Sequence, residues 1–306
     1  MRRPPALVLL NPAARHGRAR RLWDRVRREV EGRFESSVVP IHPGGAWKRD
    51  VRSSLRSGTR VFLAAGGDGT VHALAGAVVE GRENVPLGDI RLGAVGLGSS
   101  NDFHKPFKRL SSGIPLRLDA DRAAPRDLGR VRWIDGAGHE RESVLVVSAS
   151  AGVVAEGNAL FNSCRLGRRF PSLAIGISAL SAIARHRASR FFLRHDENHE
   201  EIELSSLSVL KTQWLSGSLR YDLPVAADDG LFGVALCEAM GSRRLLGTLI
   251  GLACGRFLGR PGTRAFRTAA LELDADVPFL LEIDGEVGPA RHATFDLFPE
   301  RLLACA

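Results

Sequence analysis

In LAAGGDGTVHALAG, residues 63–76, an apolar run ends in two glycines, an aspartate, a third glycine and a threonine, after which apolar residues resume at helical spacing. A buried strand that turns through a glycine loop into a helix has this pattern, and it is the βα unit of a parallel sheet. Glycine lets the backbone adopt positive φ and approach a ligand closely. The N–H groups that open the following helix offer a site for phosphate, and Thr70 is placed to cap that helix. A carboxylate in the tightest part of the turn repels phosphate oxygens unless a cation lies between them, so Asp68 points to Mg²⁺. A plain Asp-Gly turn is the alternative, and for an isolated GGDG it is the better one.

On either side of this stretch the same arrangement recurs. Residues 6–10, 38–41, 60–65 and 90–95 read as short apolar strands, and 19–30, 47–55 and 71–79 as helices. Strands alternating with helices imply a parallel sheet, whose ligands lie beyond the carboxyl ends of its strands. Two more such ends carry polar turns. Asn11-Pro12-Ala13-Ala14-Arg15-His16-Gly17 follows the first strand, and Gly96-Leu97-Gly98-Ser99-Ser100-Asn101-Asp102 follows the fourth. Hydroxyls, an amide and an acid in the latter are suited to phosphate, ribose or a substrate hydroxyl; a cap on a helix starting near Phe103 is the other reading. Each loop alone is weak, and their convergence on one crevice is the stronger argument.

After about residue 125 the pattern becomes strand and polar turn, broken by helical pieces at 171–185 and 243–257. The expected plan is an α/β domain with a parallel sheet over residues 1–125, followed by a β-rich antiparallel sandwich over 126–287, with about 288–306 free to pack back on the first domain. The two helical pieces mix apolar residues with arginines, as a membrane-contacting surface does. Core packing with a solvated arginine face explains them as well and is the preferred reading.

The chain has 306 residues, 44% hydrophobic and 25% charged, with a formal net charge of +9. That balance favours anionic partners. Nucleic acid is not expected, because the arginines are dispersed and aromatics are only 6%, too few for a stacking platform. Cys164, Cys237, Cys254 and Cys305 form no CxxC pair, which suggests neither zinc nor a disulfide framework and fits a reducing cytosol. The opening MRRPPALVLL imitates a signal peptide, but its apolar run is too short. No stretch approaches the roughly 18 apolar residues of a membrane span.

Read together, LLNPAARHG at 9–17, GGDGT at 66–70, GLGSSNDFHK at 96–105, DDGLFG at 228–233 and DGE at 284–286 resemble the diacylglycerol kinase catalytic family, in the family's order and over nearly the whole chain. This family of soluble lipid kinases includes bacterial diacylglycerol kinases and the sphingosine and ceramide kinases. The resemblance implies a fold like that of NAD kinases and diacylglycerol kinases. It implies ATP held by Gly66, Gly67, Asp68, Gly69 and Thr70 together with Asn11, Gly98, Ser99, Asn101 and Asp102. It makes Asp284 the general base on the lipid hydroxyl, with Glu286 and Asp68 as the further catalytic candidates. Glu286, two residues on in an extended segment, is expected to share the face of Asp284. The DDGLLD turn of bacterial members implies a structural Mg²⁺ on Asp229 and the carbonyls of Ala226 and Leu231. Local sequence predicts plain turns at both places equally well.

This chain has Ser100 for a glycine, which forbids easy positive φ there, His72 for an asparagine and Gly233 for the last acid of DDGLLD. The function expected is an ATP- and Mg²⁺-dependent kinase of a lipid hydroxyl, diacylglycerol or a related lipid. An NAD kinase, or a non-catalytic lipid- or nucleotide-binding protein on the same fold, is the alternative. Expected partners are the nucleotide and a lipid substrate at an anionic membrane surface, with a homodimer as a further candidate. The expected location is cytoplasmic, peripheral at the inner membrane face.

Overall fold

The structure, a computed structural model, describes residues 3–15, 17–164 and 171–306. The chain divides into two compact units, Met1–Leu128 with Pro299–Ala306, and Gly129–Phe298.

The first unit opens with β1 (Pro5–Leu10), α1 (Ala19–Arg33), β2 (Glu35–Pro40), α2 (Trp47–Arg56), β3 (Val61–Gly66), α3 (Asp68–Gly81) and β4 (Arg91–Gly96). These four strands form a parallel sheet in the order β2-β1-β3-β4. β3 is buried from end to end, as an all-apolar strand covered on both faces must be. β2 is the edge, largely exposed and closed by Pro40. α1 lays Trp23, Val26 and Val30 onto the sheet at helical spacing. Short strands β5 (Leu110–Ser111), β6 (Ile114–Arg117) and β7 (Ala124–Arg126) follow, with β6 antiparallel to β4.

The second unit contains β8 (Gly129–Asp135), β9 (Glu140–Leu145), β10 (Ser148–Gly152), α4 (Val153–Ser163), α5 (Pro171–Arg185), β11 (Ser189–His195), β12 (Asn198–Leu210), β13 (Trp214–Leu215), β14 (Leu219–Arg220), β15 (Phe232–Glu238), α6 (Ser242–Ala253), β16 (Thr263–Thr268), β17 (Leu271–Ile283) and β18 (Glu286–Leu297). Its main sheet is antiparallel, ordered β16-β15-β12-β10-β17-β18-β8-β9. β10 and β11 occupy one lane end to end, since each pairs with β12 on one side and β17 on the other. The chain leaves that lane at Gly152 (φ +76), where a Cβ would collide with the Ser205 carbonyl and where β12 carries an irregularity between Leu204 and Ser206. α4 and α5 are therefore an excursion out of a single strand. The sheet folds over on itself: a Cβ on Gly129 of β8 would lie 3.1 Å from the Phe232 ring of β15, although four strands stand between β8 and β15 in the order. Val131, Leu207, Val234, Leu273 and Phe295 fill the interior. This is the sandwich the alternating pattern implies.

A last strand, β19 (Leu302–Ala304), returns to the first unit and pairs with β4 and β7. Residues 288–297 stay in β18, so the returning segment starts at Pro299 rather than near 288, and the first boundary falls after Leu128 rather than 125. The return is fastened within the first unit by Arg301 to Asp127 at 2.7 Å and Arg82 to Glu300 at 2.9 Å. α4 escaped sequence reading because VVAEGNALFNS opens on β-branched residues and carries a glycine, both poor helix formers.

Candidate functional site

In the first unit the three loops leave the carboxyl ends of adjacent strands. Leu10 of β1 stands beside Ala65, and Gly66 of β3 beside Gly96 of β4. The Asn11 N–H donates to the Ala65 carbonyl at 2.9 Å, and its side-chain amide donates to the Thr70 hydroxyl at 3.2 Å. Leu97 and Gly98 N–H both donate to the Gly66 carbonyl, at 2.8 and 3.1 Å. The Gly67 and Gly98 backbones touch, so that a Cβ on Gly98 would fall inside contact distance of Gly67 Cα. Two loops therefore share one tight floor, which only glycine permits.

Two local expectations change. Thr70 is not the cap of α3, because the helix starts at Asp68 with Gly67 as its N-cap and no side-chain cap; the buried Thr70 hydroxyl faces Asn11 instead. The left-handed residue of the second loop is Asn101 (φ +53) and not residue 100, so Ser100 carries no such strain. Asparagine tolerates this conformation better than most residues. Asn101 folds its amide back on the loop, accepting from Gly98 N–H at 3.1 Å and donating to the Gly98 carbonyl at 3.1 Å.

The acids of these loops have architectural duties as well. Asp68 Oδ1 accepts the Phe103 N–H at 2.9 Å, tying the start of α3 to the turn after Asn101. Asp102 is buried and paired with the equally buried Lys105 at 2.7 Å. Gly69, in the first turn of α3, and Ser99, in the loop after β4, are exposed. At the α3 N-terminus the N–H dipoles favour an anion placed beyond the helix start.

His104 follows Phe103 inward and is a residue that sequence reasoning passed over. Its ring is buried, and its Nδ1 has no hydrogen-bond partner among the described residues. Burial first, and then the nearby Arg117 charge, push it down to about 3. In the unfolded chain the ring titrates near 6.5. The unfolded state therefore takes up the proton first as pH falls, and stability is full above about 6.5 and lost from there toward about 3. Urea melts should lose up to about 1.4 kcal/mol per pH unit on this account below pH ~6, and His104→Ala should flatten that slope; an unchanged slope would contradict it.

In the second unit the IDGE stretch is both a turn and a built site. Asp284 (φ +49) and Gly285 (φ +98) form the two-residue hairpin between β17 and β18. The Asp284 side chain is nevertheless buried, with Oδ2 accepting Val146 N–H at 2.8 Å and Oδ1 accepting Val147 and Ser148 N–H at 2.8 and 3.0 Å. Its own N–H donates to the Ser148 carbonyl at 2.9 Å. Charge-assisted bonds of this kind hold a carboxylate in one position.

The premise for Glu286 fails, because the segment is a tight turn and not extended. Glu286 stands opposite Ile283 across the ladder and is exposed. The acid that sequence reasoning missed is Glu282, buried and accepting Ser150 Oγ at 2.6 Å and Gly285 N–H at 2.5 Å. An acid inside the apolar run of FLLEI was its only signal. From α4, Asn162 donates to the Gly285 carbonyl at 3.1 Å.

The Asp229 turn departs from expectation. The Leu231 carbonyl accepts Lys211 Nζ at 2.8 Å, and Asp229 Oδ1 lies 3.5 Å from the same ammonium. Asp229 Oδ2 is bound by Arg267. Ala226 is exposed, three residues before Asp229, while two of the three expected Mg²⁺ donors are taken by protein cations, and the group does not fit the ion. At Gly233 a Cβ would lie 2.6 Å from Val225 Cγ2, so an acid in place of this glycine would have to displace that side chain.

Residues 5–128 match the family described as Diacylglycerol kinase catalytic domain, and residues 147–305 match the YegS C-terminal NAD kinase beta sandwich-like domain. A protein of Xanthomonas oryzae pv. oryzae (strain MAFF 311018) named Probable lipid kinase YegS-like is 30% identical over 290 residues, covering 90% of this chain and 89% of its own. A Pseudomonas aeruginosa protein of the same name is 26% identical over 278 residues, covering 88% and 83%. Among solved structures, a diacylglycerol kinase from Bacillus anthracis str. Sterne aligns with a TM-score of 0.68 at 14% identity over 98% of this chain and 96% of that one. Yeast NADH kinase complexed with NADH aligns with a TM-score of 0.51 at 9% identity over 99% and 84%. At these identities both structures speak to the fold alone, an α/β domain followed by an antiparallel β domain.

Proposed function

The chain belongs to the lipid kinase family that joins a diacylglycerol kinase catalytic domain to a YegS-type C-terminal domain, and on that premise we propose that it transfers the γ-phosphoryl group of ATP to the hydroxyl of diacylglycerol or a related lipid. Asn11, Gly66–Thr70 and the loop from Gly98 to Asn101 bind the nucleotide phosphates, helped by the α3 dipole. Asp68 is the residue that would hold Mg²⁺, which would supply charge neutralisation for the transferring group. Asp284 takes the proton of the lipid hydroxyl as its oxygen bonds to phosphorus and the bond to the departing ADP oxygen breaks. The single observation that carries this reading is the Asp284 carboxylate, kept buried and oriented by three backbone N–H groups at a turn.

The lipid side of the proposal is supported by an apolar face that the preferred sequence reading assigned to core packing. α5 does bury Ala174, Ser178 and Ala182, but it exposes Leu173, Ile177 and Leu180, at 55, 43 and 50%. α6, which packs on α5, exposes Leu246 and Ile250 at 39 and 56%. Arg185, Arg243 and Arg244, all exposed, border this face and suit an anionic membrane. No described helix is long and apolar enough to cross a membrane, so this face would lie against the surface. Leu180→Glu with Ile250→Glu should weaken cosedimentation with phosphatidylglycerol vesicles by at least about tenfold. Unchanged cosedimentation would remove α5 and α6 from the account.

Incubation with ATP, Mg²⁺ and a panel of lipid acceptors tests the function directly. Phosphatidic acid formed from diacylglycerol is expected. ATP binding without turnover on any acceptor would favour a non-catalytic role.

A further inference from the structure

Lys211 is the first residue after β12, and its position joins two features of the second unit. Its N–H donates to the Val147 carbonyl at 2.9 Å, while Val147 N–H donates to Asp284 at 2.8 Å. Its side chain is fully buried (0% exposed) and ends 2.8 Å from the Leu231 carbonyl and 3.5 Å from Asp229 Oδ1. Asp229 also accepts the Leu231 N–H at 3.2 Å, which closes the turn, and Arg267 of β16 holds its other oxygen. A buried ammonium is tolerated only where oxygens surround it. Here it meets a carboxylate and a backbone carbonyl, the same hard donors that a divalent cation takes.

The two occupants exclude one another. Mg²⁺ binds oxygens at about 2.0–2.1 Å and demands octahedral geometry, whereas the Leu231 carbonyl and Asp229 Oδ1 are already directed at Nζ. An ion bound to these atoms would be pressed against the buried Lys211 ammonium, a like charge at close range. An acid at the turn's last position would have to displace Val225, whose Cγ2 lies 2.6 Å from where a Cβ on Gly233 would stand.

We infer that Lys211 is a built-in replacement for a divalent cation, bracing the Asp229 turn against the strand segment that cradles Asp284, so that the second unit folds without a structural metal. The inference rests on the geometry of this turn and not on the kinase reading. Its test therefore uses no turnover.

The test is thermal unfolding of the full-length protein without nucleotide, in EDTA and in millimolar Mg²⁺ at matched ionic strength. A ligand that binds only the folded state raises its Tm. The native Tm should differ by less than about 1 °C between the two conditions, metal analysis after dialysis should find no stoichiometric Mg²⁺, and Lys211→Met should lower Tm by several degrees. A Mg²⁺-dependent rise of more than about 2 °C in the native chain that Asp229→Asn abolishes would overturn the inference. So would a Lys211→Met protein as stable as the native one. Should Lys211→Met not fold, the metal response and metal content of the native chain decide alone.

Discussion

Asp284→Asn is expected to lower kcat for lipid phosphorylation on the order of a hundredfold to ten-thousandfold, the range over which a positioned general base acts. Asparagine keeps the size of the side chain but does not take a proton from the attacking hydroxyl. The substitution has a second effect that must be separated from the first. Asp284 accepts three backbone N–H groups from Val146, Val147 and Ser148, and the amide end of asparagine places donors against donors there. The variant should therefore unfold at lower temperature as well. The informative comparison is kcat measured well below the variant's own Tm, with nucleotide affinity measured alongside. A large fall in kcat with unchanged affinity for ATP is the expected outcome. A kcat within a few-fold of native in the folded variant would assign Asp284 to architecture alone.

Gly98→Ala is expected to abolish measurable ATP binding while leaving the second unit folded. The reason is space and not backbone conformation, because Gly98 is not among the positive-φ glycines, yet its Cβ would collide with Gly67 Cα. Backbone cannot step aside as a flexible side chain does, so the two loops must separate and the floor beneath the phosphates opens. Ser100→Gly provides the contrast. The left-handed position of that loop is Asn101, so restoring glycine at 100 should leave ATP affinity unchanged within about twofold, a few tenths of a kcal/mol. Isothermal titration on both variants reads the difference. Native affinity in Gly98→Ala would dissociate the paired glycines from nucleotide binding.

What could be read in advance was what local pattern controls. The strand and helix of 63–76, the parallel core built from it, and the Asp-Gly hairpin at 284–285 all follow from spacing and turn chemistry within a dozen residues. The features that escaped depend on partners far along the chain. Thr70 has the sequence of a cap, but Asn11, fifty-nine residues earlier, claims its hydroxyl. Glu286 looked extended beside Asp284 until the left-handed turn turned it across the ladder. Asp229 has the surroundings of a metal ligand, and only the fold brings Lys211 and Arg267 onto it. β10 and β11 share one lane although α4 and α5 lie between them in sequence, a pairing that no local signal encodes. His104 lies inside a motif that could be read, but its burial depends on packing against Gly96 and the strand beyond it.

The most direct measurement follows the phosphoryl group itself. Native protein is incubated with γ-labelled ATP, Mg²⁺, diacylglycerol in anionic vesicles and NAD in the same tube, and the mixture is extracted with organic solvent. The account predicts label in the organic phase as phosphatidic acid, formed at least about a hundredfold more slowly when Asp284→Asn replaces the native chain. Label remaining in the aqueous phase on NAD, with none on lipid, would contradict it.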